Sequence, residues 1–138
     1  MLSEAKAWDD YAKTKEKAKA FMVGKWERAN GSSLDGMIVE CNGVEAGATG
    51  TVCFVPETEE LFQVGDSKWS YMSVEDENTL DILDMTKRRG LGPNGIVTNY
   101  YNAQIRMDRQ NNTIQVVYDV IDGSVTEKTQ TQTWRKVQ

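Results

Sequence analysis

The first twenty-odd residues place apolar side chains at the spacing of an α-helix. From Ser3 to about Met22 the chain is rich in Ala, Lys and Glu, which favour helices. The apolar positions that recur near helical spacing are Trp8, Tyr11, Ala12, Ala18 and Met22. We expect one amphipathic helix that is capped by Ser3 and stopped by Gly24.

After Gly24 the pattern changes to short runs of β-branched and aromatic residues separated by Gly, Asn, Asp and Pro. This alternation of runs and breaks is typical of strands joined by hairpins. The predicted strands are 25–30, 35–42, 48–55, 60–64, 67–74, 79–86, 96–108, 113–121 and 129–137. The number of strands is eight or nine, depending on whether 60–64 and 67–74 form one bent strand.

The clearest hairpin joins residues 100–107 to residues 113–120, because both runs alternate with a period of two. The positions that share the more apolar faces are Tyr101, Ala103, Ile105 and Met107 in the first run, and Ile114, Val116, Tyr118 and Val120 in the second. The polar stretch 108–112 between them predicts a turn.

One helix followed by strands, without alternating βαβ units, predicts a mainly β fold with an antiparallel sheet. Closure into a barrel is favoured over an open sandwich because a barrel has no exposed edge strands. We expect a single domain over residues 1–138, with the helix in 1–23 and the barrel in 24–138.

Length and charge narrow the classes of partner. A chain of 138 residues suits one domain. Its 16 basic and 21 acidic residues give a net charge of −5, so we expect no nucleic acid partner.

No apolar run predicts a membrane span, and the opening residues lack the apolar core of a signal peptide. We expect a cytoplasmic protein, or an exported one whose signal is absent from this chain, and the oligomeric state stays open.

The chain contains no histidine. This excludes Ser-His-Asp and Cys-His catalysis, histidine-ligated haem and most catalytic metal sites, and we expect neither a metal nor a cofactor. Cys41 and Cys53 lie on neighbouring predicted strands at similar distances from the turn near Gly47. They are either cross-strand neighbours that form a disulfide in an oxidising compartment, or two buried free thiols.

The segment Gly24-Lys25-Trp26 opens the first predicted strand. It resembles the Gly-x-Trp signature of lipocalins and the wider calycin group, and Thr98-Asn99-Tyr100 resembles their Thr-Asp-Tyr motif with Asn in place of Asp. The resemblance covers residues 24–137 in layout and implies an eight-stranded up-and-down lipocalin-like barrel. It also implies that Trp26 closes one end of the barrel and that a basic residue of the last strand packs across its ring. Arg135 is the candidate for that contact.

The segment Gly90-Leu91-Gly92-Pro93-Asn94-Gly95 has the spacing of a dinucleotide-binding loop. The strand-like run that follows it, and the lack of a βαβ unit, predict instead a glycine-rich connection between two strands. The basic triplet Lys87-Arg88-Arg89 directly precedes this segment. It is either an anion-binding cluster at the barrel mouth or a solvated loop that keeps a strand end soluble, and we favour the second.

Asp84 is the carboxylate of most interest for catalysis. It follows Leu80 and Ile82 at a spacing of two, so a regular strand would bury it among apolar side chains and raise its pKa. Strand twist and the nearby loop favour instead a solvated Asp84.

Aromatic side chains on several predicted strands favour a binding site. The candidates for the pocket or its mouth are Trp69, Tyr71, Tyr101, Arg106 and Tyr118. We expect a lipocalin-like protein that binds a small, partly apolar molecule without catalysis. One alternative is a filled barrel that acts through its surface, with the helix face of Trp8 and Tyr11 meeting a partner or a second copy. The other is a histidine-free isomerase or hydrolase centred on Asp84.

Overall fold

The computed structural model of the chain describes residues 2–29, 34–121 and 127–137. In chain order the elements are α1 (Leu2–Met22), β1 (Gly24–Arg28), β2 (Ile38–Cys41), β3 (Gly50–Phe54), β4 (Ser67–Asp76), β5 (Thr79–Arg89), β6 (Ile96–Asp108), β7 (Thr113–Ile121) and β8 (Glu127–Lys136). A one-turn 3₁₀ helix, Pro93–Gly95, lies between β5 and β6. The first predicted strand extended to residue 30, which lies outside the described residues.

Each strand pairs antiparallel with the next, and β1 pairs with β8 to close the sheet into an eight-stranded barrel. The predicted fold class is therefore confirmed. The hairpin of β6 and β7 is confirmed as well, with Gln104 opposite Val117 and Asp108 opposite Thr113. Closure satisfies the backbone groups that an edge strand would expose.

The barrel has two distinct ends. At one end, which we call the helix end, lie α1 and the turns that join β2 to β3, β4 to β5 and β6 to β7. Lys17 of α1 forms an ion pair with Glu77 of the β4–β5 turn, with 3.1 Å between Nζ and Oε2. At the opposite end, the loop end, lie the connection 55–66 and the connection 90–95.

Residues 60–64 do not form a strand, so the prediction of a strand there is wrong. They belong to the connection 55–66, whose backbone donors are bound by local carboxylates. Glu59 Oε1 accepts hydrogen bonds from the amides of Leu61 (2.7 Å) and Phe62 (3.1 Å), and Asp66 Oδ2 accepts one from Gln63 (2.9 Å). Side chains that bind the backbone in this way compete with the pairing that a strand needs.

The boundaries of α1 differ slightly from the prediction. The helix begins at Leu2, so Ser3 lies inside it and cannot be the N-cap, which needs a non-helical backbone. At the other end, the amide of Val23 still donates to the carbonyl of Lys19 at 3.0 Å. Gly24 then adopts a φ of +135°, a conformation that favours glycine, and begins β1.

Only the C-terminal part of α1 packs on the barrel. Ala18 and Met22 are fully buried, whereas Trp8 is 68% exposed and Tyr11 is 49% exposed. The predicted amphipathic stripe is therefore split, because the barrel end covers the last turns of the helix and not the first.

A lysine, and not an arginine, covers the ring of Trp26. The pairing of β1 with β8 places Lys136 opposite Trp26 and Arg135 opposite Glu27. Lys136 Nζ lies 5.1 Å from the Trp26 ring centroid and donates to two backbone carbonyls at the end of α1. The prediction of Arg135 is wrong by one residue. Strand alternation turns Arg135 outwards, where it pairs with Glu27 at 3.0 Å.

Of the two alternatives for the cysteines, the structure has the free thiols and not the disulfide. Cys41 is buried and lies opposite Gly50 in the pairing of β2 with β3. Cys53 follows the buried Val52 and is less buried, on the other face of β3. The two thiols therefore lie on opposite sides of the barrel wall.

Most of the barrel interior is occupied by apolar side chains, three of which are fully buried tryptophans. They are Trp26, Trp69 and Trp134. The Trp26 indole donates to the carbonyl of Met22 at 2.9 Å, which ties α1 to the helix end of the core. Polar side chains interrupt this interior towards the loop end, and they form the candidate site.

Candidate functional site

Asp84 lies inside the barrel and is fully buried. The expectation that it is solvated is wrong, because β5 continues to Arg89 and Asp84 falls in the middle of a strand. Leu80, Ile82 and Asp84 therefore all lie on the inner face of β5.

Lys68 reaches the interior through a β-bulge. Thr51 of β3 pairs with Ser67, but the preceding Gly50 pairs with Trp69, so Lys68 is the extra residue. Both Lys68 and its neighbour Trp69 are buried, which a regular strand would not allow. A bulge redirects a side chain in this way, and simple alternation along β4 gives no signal for it.

Lys68 and Asp84 form a buried ion pair, with 2.6 Å between Nζ and Oδ1. Lys68 Nζ also donates to the carbonyl of Met85 at 2.6 Å, and Gln132 Nε2 donates to Asp84 Oδ2 at 2.9 Å. Both carboxylate oxygens are thus occupied. Gln132 in turn accepts a hydrogen bond from the indole of Trp134 at 3.3 Å.

Two further polar side chains complete this group. The Tyr118 hydroxyl accepts from Gln132 Nε2 at 3.4 Å, and the buried guanidinium of Arg28 lies 5.6 Å from the Trp134 ring centroid. We call Arg28, Lys68, Asp84, Tyr118 and Gln132 the inner polar cluster.

Burial shifts the pKa values of four side chains in the inner polar cluster. Loss of solvation lowers the pKa of Lys68 and raises that of Asp84, and the attraction between the two groups opposes both shifts. Burial also lowers the pKa of Arg28, against the attraction of Asp84, and raises the pKa of the Tyr118 hydroxyl.

Trp69 borders the inner polar cluster. It lies opposite Asp84 in the pairing of β4 with β5, and its ring meets that of Trp134 edge-on with 5.3 Å between centroids. Among the described residues, its buried Nε1 has no hydrogen-bond acceptor. A buried donor without an acceptor costs about 1–3 kcal/mol and calls for a missing partner.

The structure brings three of the five predicted binding residues to the interior. Tyr118 belongs to the inner polar cluster, Trp69 borders it, and Tyr101 stacks on Tyr118 with 5.3 Å between ring centroids. Tyr71 is 73% exposed, because β4 bulges again between Ser70 and Ser73 and gives Tyr71 a φ of +50°. Arg106 also lies outside, on the polar face of β6.

Arg28, Lys68 and Gln132 were not among the predicted site residues. Alternation from the buried Trp26 would have brought Arg28 inwards, and alternation from Trp134 would have done the same for Gln132. The bulged Lys68 had no such signal.

The loop end is covered by the connection 55–66. The buried Phe62 ring is close to two ammonium groups, with its centroid 5.5 Å from Lys68 Nζ and 5.7 Å from Lys87 Nζ. Lys87 also pairs with Asp66 at 2.8 Å. The connection therefore lies over the side chain of Lys68.

The basic triplet forms the last residues of β5, so the prediction of a loop there is wrong, although Arg88 and Arg89 are exposed. Lys87 and Arg89 form ion pairs with Asp66 and Glu60 of the connection 55–66. Residues 90–95 form the predicted connection between two strands. A hollow of about 510 Å³ lies between the two connections.

In the described part of the chain, no group of three or more cysteine and acidic side chains is placed to hold a metal ion. Nor does any helix in these residues have the length and apolar character to cross a membrane. Comparison with protein-family models, curated proteins and solved structures finds no match. The inner polar cluster and Trp69 are therefore the residues from which a function is proposed.

Proposed function

We propose that this chain is a lipocalin-like binding protein that holds a small, partly apolar molecule beside the inner polar cluster. The observation that carries the proposal is the buried Trp69 Nε1, which has no acceptor among the described residues. A ligand oxygen that accepts from this indole would remove the cost of the unpaired donor.

The electrostatics favour a ligand with a carbonyl or carboxylate group. Each oxygen of Asp84 already accepts a hydrogen bond, one from Lys68 and the other from Gln132, whereas Trp69 Nε1 is a buried donor without an acceptor among the described residues. An electron-rich oxygen is the acceptor that such a donor binds most strongly.

The loop end offers the entry route. Movement of the connection 55–66 would displace Phe62 and uncover Lys68. The hollow of about 510 Å³ beside this connection includes Leu61 and Leu91 in its lining but neither Trp69 nor a residue of the inner polar cluster. We therefore expect a ligand to reach Trp69 only when the connection moves.

Binding is favoured over catalysis at Asp84. A buried carboxyl with a raised pKa is what a histidine-free isomerase or hydrolase would need. Both oxygens of Asp84 are held, however, at 2.6 Å by Lys68 and 2.9 Å by Gln132. A substrate proton would have to displace one of these partners first.

Native mass spectrometry of the gently purified protein tests the proposal, followed by denaturing extraction of any bound molecule. We expect a mass above that of the bare chain and a released small molecule with an oxygen acceptor. Trp69→Phe removes the N–H donor and retains an aromatic ring. We expect it to bind the released molecule about tenfold more weakly, the loss of one buried hydrogen bond.

Trp26→Phe is the matched control, because it removes the same atoms from a fully buried indole whose donor is satisfied by Met22. It should lose stability without losing the ligand. A bare wild-type mass, or equal binding losses in the two variants, would contradict the proposal.

A further inference from the structure

One side of α1 is largely exposed. Residues 4–13 and Lys19 are exposed, with Trp8 68% exposed, and Lys15 is half-buried. Positions three and four apart lie on the same side of a helix. The side chains that share one side in this way are Glu4, Trp8, Tyr11, Ala12, Lys15 and Lys19, which we call the α1 face.

Two copies of the α1 face are complementary when their helices run in opposite directions. The midpoint of the α1 face lies between Tyr11 and Ala12. Glu4 and Lys19, an acid and a base, lie at equal distances on either side of that midpoint. Trp8 and Lys15, an aromatic residue and a cation, also lie at equal distances from it.

We propose that the α1 face binds the α1 face of a second copy of this chain, with the two helices antiparallel. Glu4 then meets Lys19 of the second copy twice, once at each end of the contact. Each Trp8 ring meets a Lys15 ammonium, an attraction between a cation and an aromatic face, and each Tyr11 packs on the small Ala12. The same patch serves both copies, as in most two-fold dimers.

The surroundings of α1 leave room for the second helix. A hollow of about 610 Å³ runs beside the α1 face, and its lining includes Ala12, Lys15, Lys19 and Glu45 of the β2–β3 turn. Ala18 and Met22 are buried against the barrel and Lys17 pairs with Glu77, and none of these three residues belongs to the α1 face. Lys15 is half-buried and, with Lys19, lies near Glu45. Pairing leaves the contacts of Ala18, Met22 and Lys17 in place.

Charge reversal tests both the pairing and its direction. Two helices of this length bury little area, so we expect a weak dimer, visible by sedimentation velocity at concentrations up to hundreds of micromolar. Glu4→Lys alone, or Lys19→Glu alone, should raise the dimer dissociation constant about tenfold, because like charges then meet at both ends. The double variant restores opposite charges and should recover most of the affinity.

Lys6→Glu is the matched control, since Lys6 is exposed on the same helix but lies off the α1 face. It should leave the dissociation constant within about threefold of the wild type. Trp8→Ala should abolish the dimer. A wild-type protein that stays monomeric, or a double variant no better than either single one, would overturn the proposal. Because the barrel interior is untouched, these results do not depend on whether a ligand is bound.

Discussion

Lys68 and Asp84 are each tolerated in the barrel interior because of the other. Their side chains are 1% and 0% exposed, and 2.6 Å separates Nζ from Oδ1. Removing one charge leaves the other buried and unpaired, which typically costs about 3–5 kcal/mol, whereas replacing both with apolar groups is often neutral or stabilising.

We expect Asp84→Asn to lower the free energy of unfolding at neutral pH by about 3 kcal/mol, and Asp84→Leu with Lys68→Met to recover most of that loss. Urea denaturation measures both. Removing the exposed pair with Lys17→Met and Glu77→Gln is the control, and it should cost less than about 1 kcal/mol. An Asp84→Asn protein as stable as the wild type would contradict a buried charge at Lys68.

The stability of Asp84→Asn should rise with pH. Burial holds the pKa of Lys68 below its ordinary value of 10.5, and the substitution removes the attraction that opposes this shift. Between the lowered pKa and 10.5 the folded state binds fewer protons than the unfolded state, so the free energy of unfolding increases with pH. In the wild type the raised pKa of Asp84 acts in the opposite direction, and its contribution falls as pH rises from 3.8 to the folded value.

Single residues were predictable where strands are regular. Alternation brings Asp84 to the same face as Ile82. The expectation of a solvated Asp84 rested on strand twist and a nearby loop, but β5 continues five residues further, to Arg89. Lys68 was not predictable, because its bulge depends on how β3 pairs with β4. That pairing is a property of two strands and not of the sequence of either one.

At the scale of elements, β4 is the strand that shapes the site. It departs from regular pairing at Lys68 and again at Tyr71, so one residue turns inwards and the other outwards. Gly50 of β3 lies beneath Trp69, and a Cβ there would come within 2.4 Å of the indole ring. The absence of a side chain at Gly50 thus sets the position of Trp69.

We expect Gly50→Ala to lower the free energy of unfolding by about 1–3 kcal/mol, because the new Cβ would force the Trp69 ring to shift. Gly47→Ala is the control, since a Cβ there meets nothing within 4 Å and the change should stay within about 0.5 kcal/mol. Thermal unfolding compares the two variants. Equal effects would show that Trp69 can move freely.

Strands were predictable where apolar and polar residues alternate clearly along the sequence. The β6–β7 hairpin follows from a period-two pattern on both sides of a polar turn. Residues 60–64 have strand-like composition, but Glu59 binds the amides that a strand would share with a neighbour. Such competition between side chain and backbone is not visible in a hydrophobic pattern.

At the scale of the whole molecule, Lys136 joins the barrel to its helix. Its ammonium group lies over the rings of Phe21 and Trp26 and donates to the backbone at the end of α1. The preceding Arg135 lies on the outer face in an exposed pair with Glu27. The two adjacent cations therefore have different roles.

We expect Lys136→Gln to lower the free energy of unfolding by about 1–2 kcal/mol and to speed amide hydrogen exchange in the last turns of α1. Arg135→Gln should cost less than about 1 kcal/mol and leave that exchange unchanged. Loss of protection in α1 with Arg135→Gln instead would reverse this assignment.

The closed barrel and its helix were predictable as a whole. Strand runs without βαβ units leave few other architectures, and closure removes the edges. The free half of α1 was not predictable in the same way. An apolar stripe marks a face that needs a partner, but it does not distinguish the chain's own barrel from a second copy.

The seam between β1 and β8 has a consequence for assembly. It joins Trp26 to Lys136 and Arg28 to Trp134, across nearly the full length of the chain. The other strand pairings described above are between neighbours in sequence, which can form early as separate hairpins. Contacts this distant in sequence form slowly because the intervening chain must first be ordered. We therefore expect Arg28 and Trp134 to meet late in folding, so that the inner polar cluster is completed only when the barrel closes.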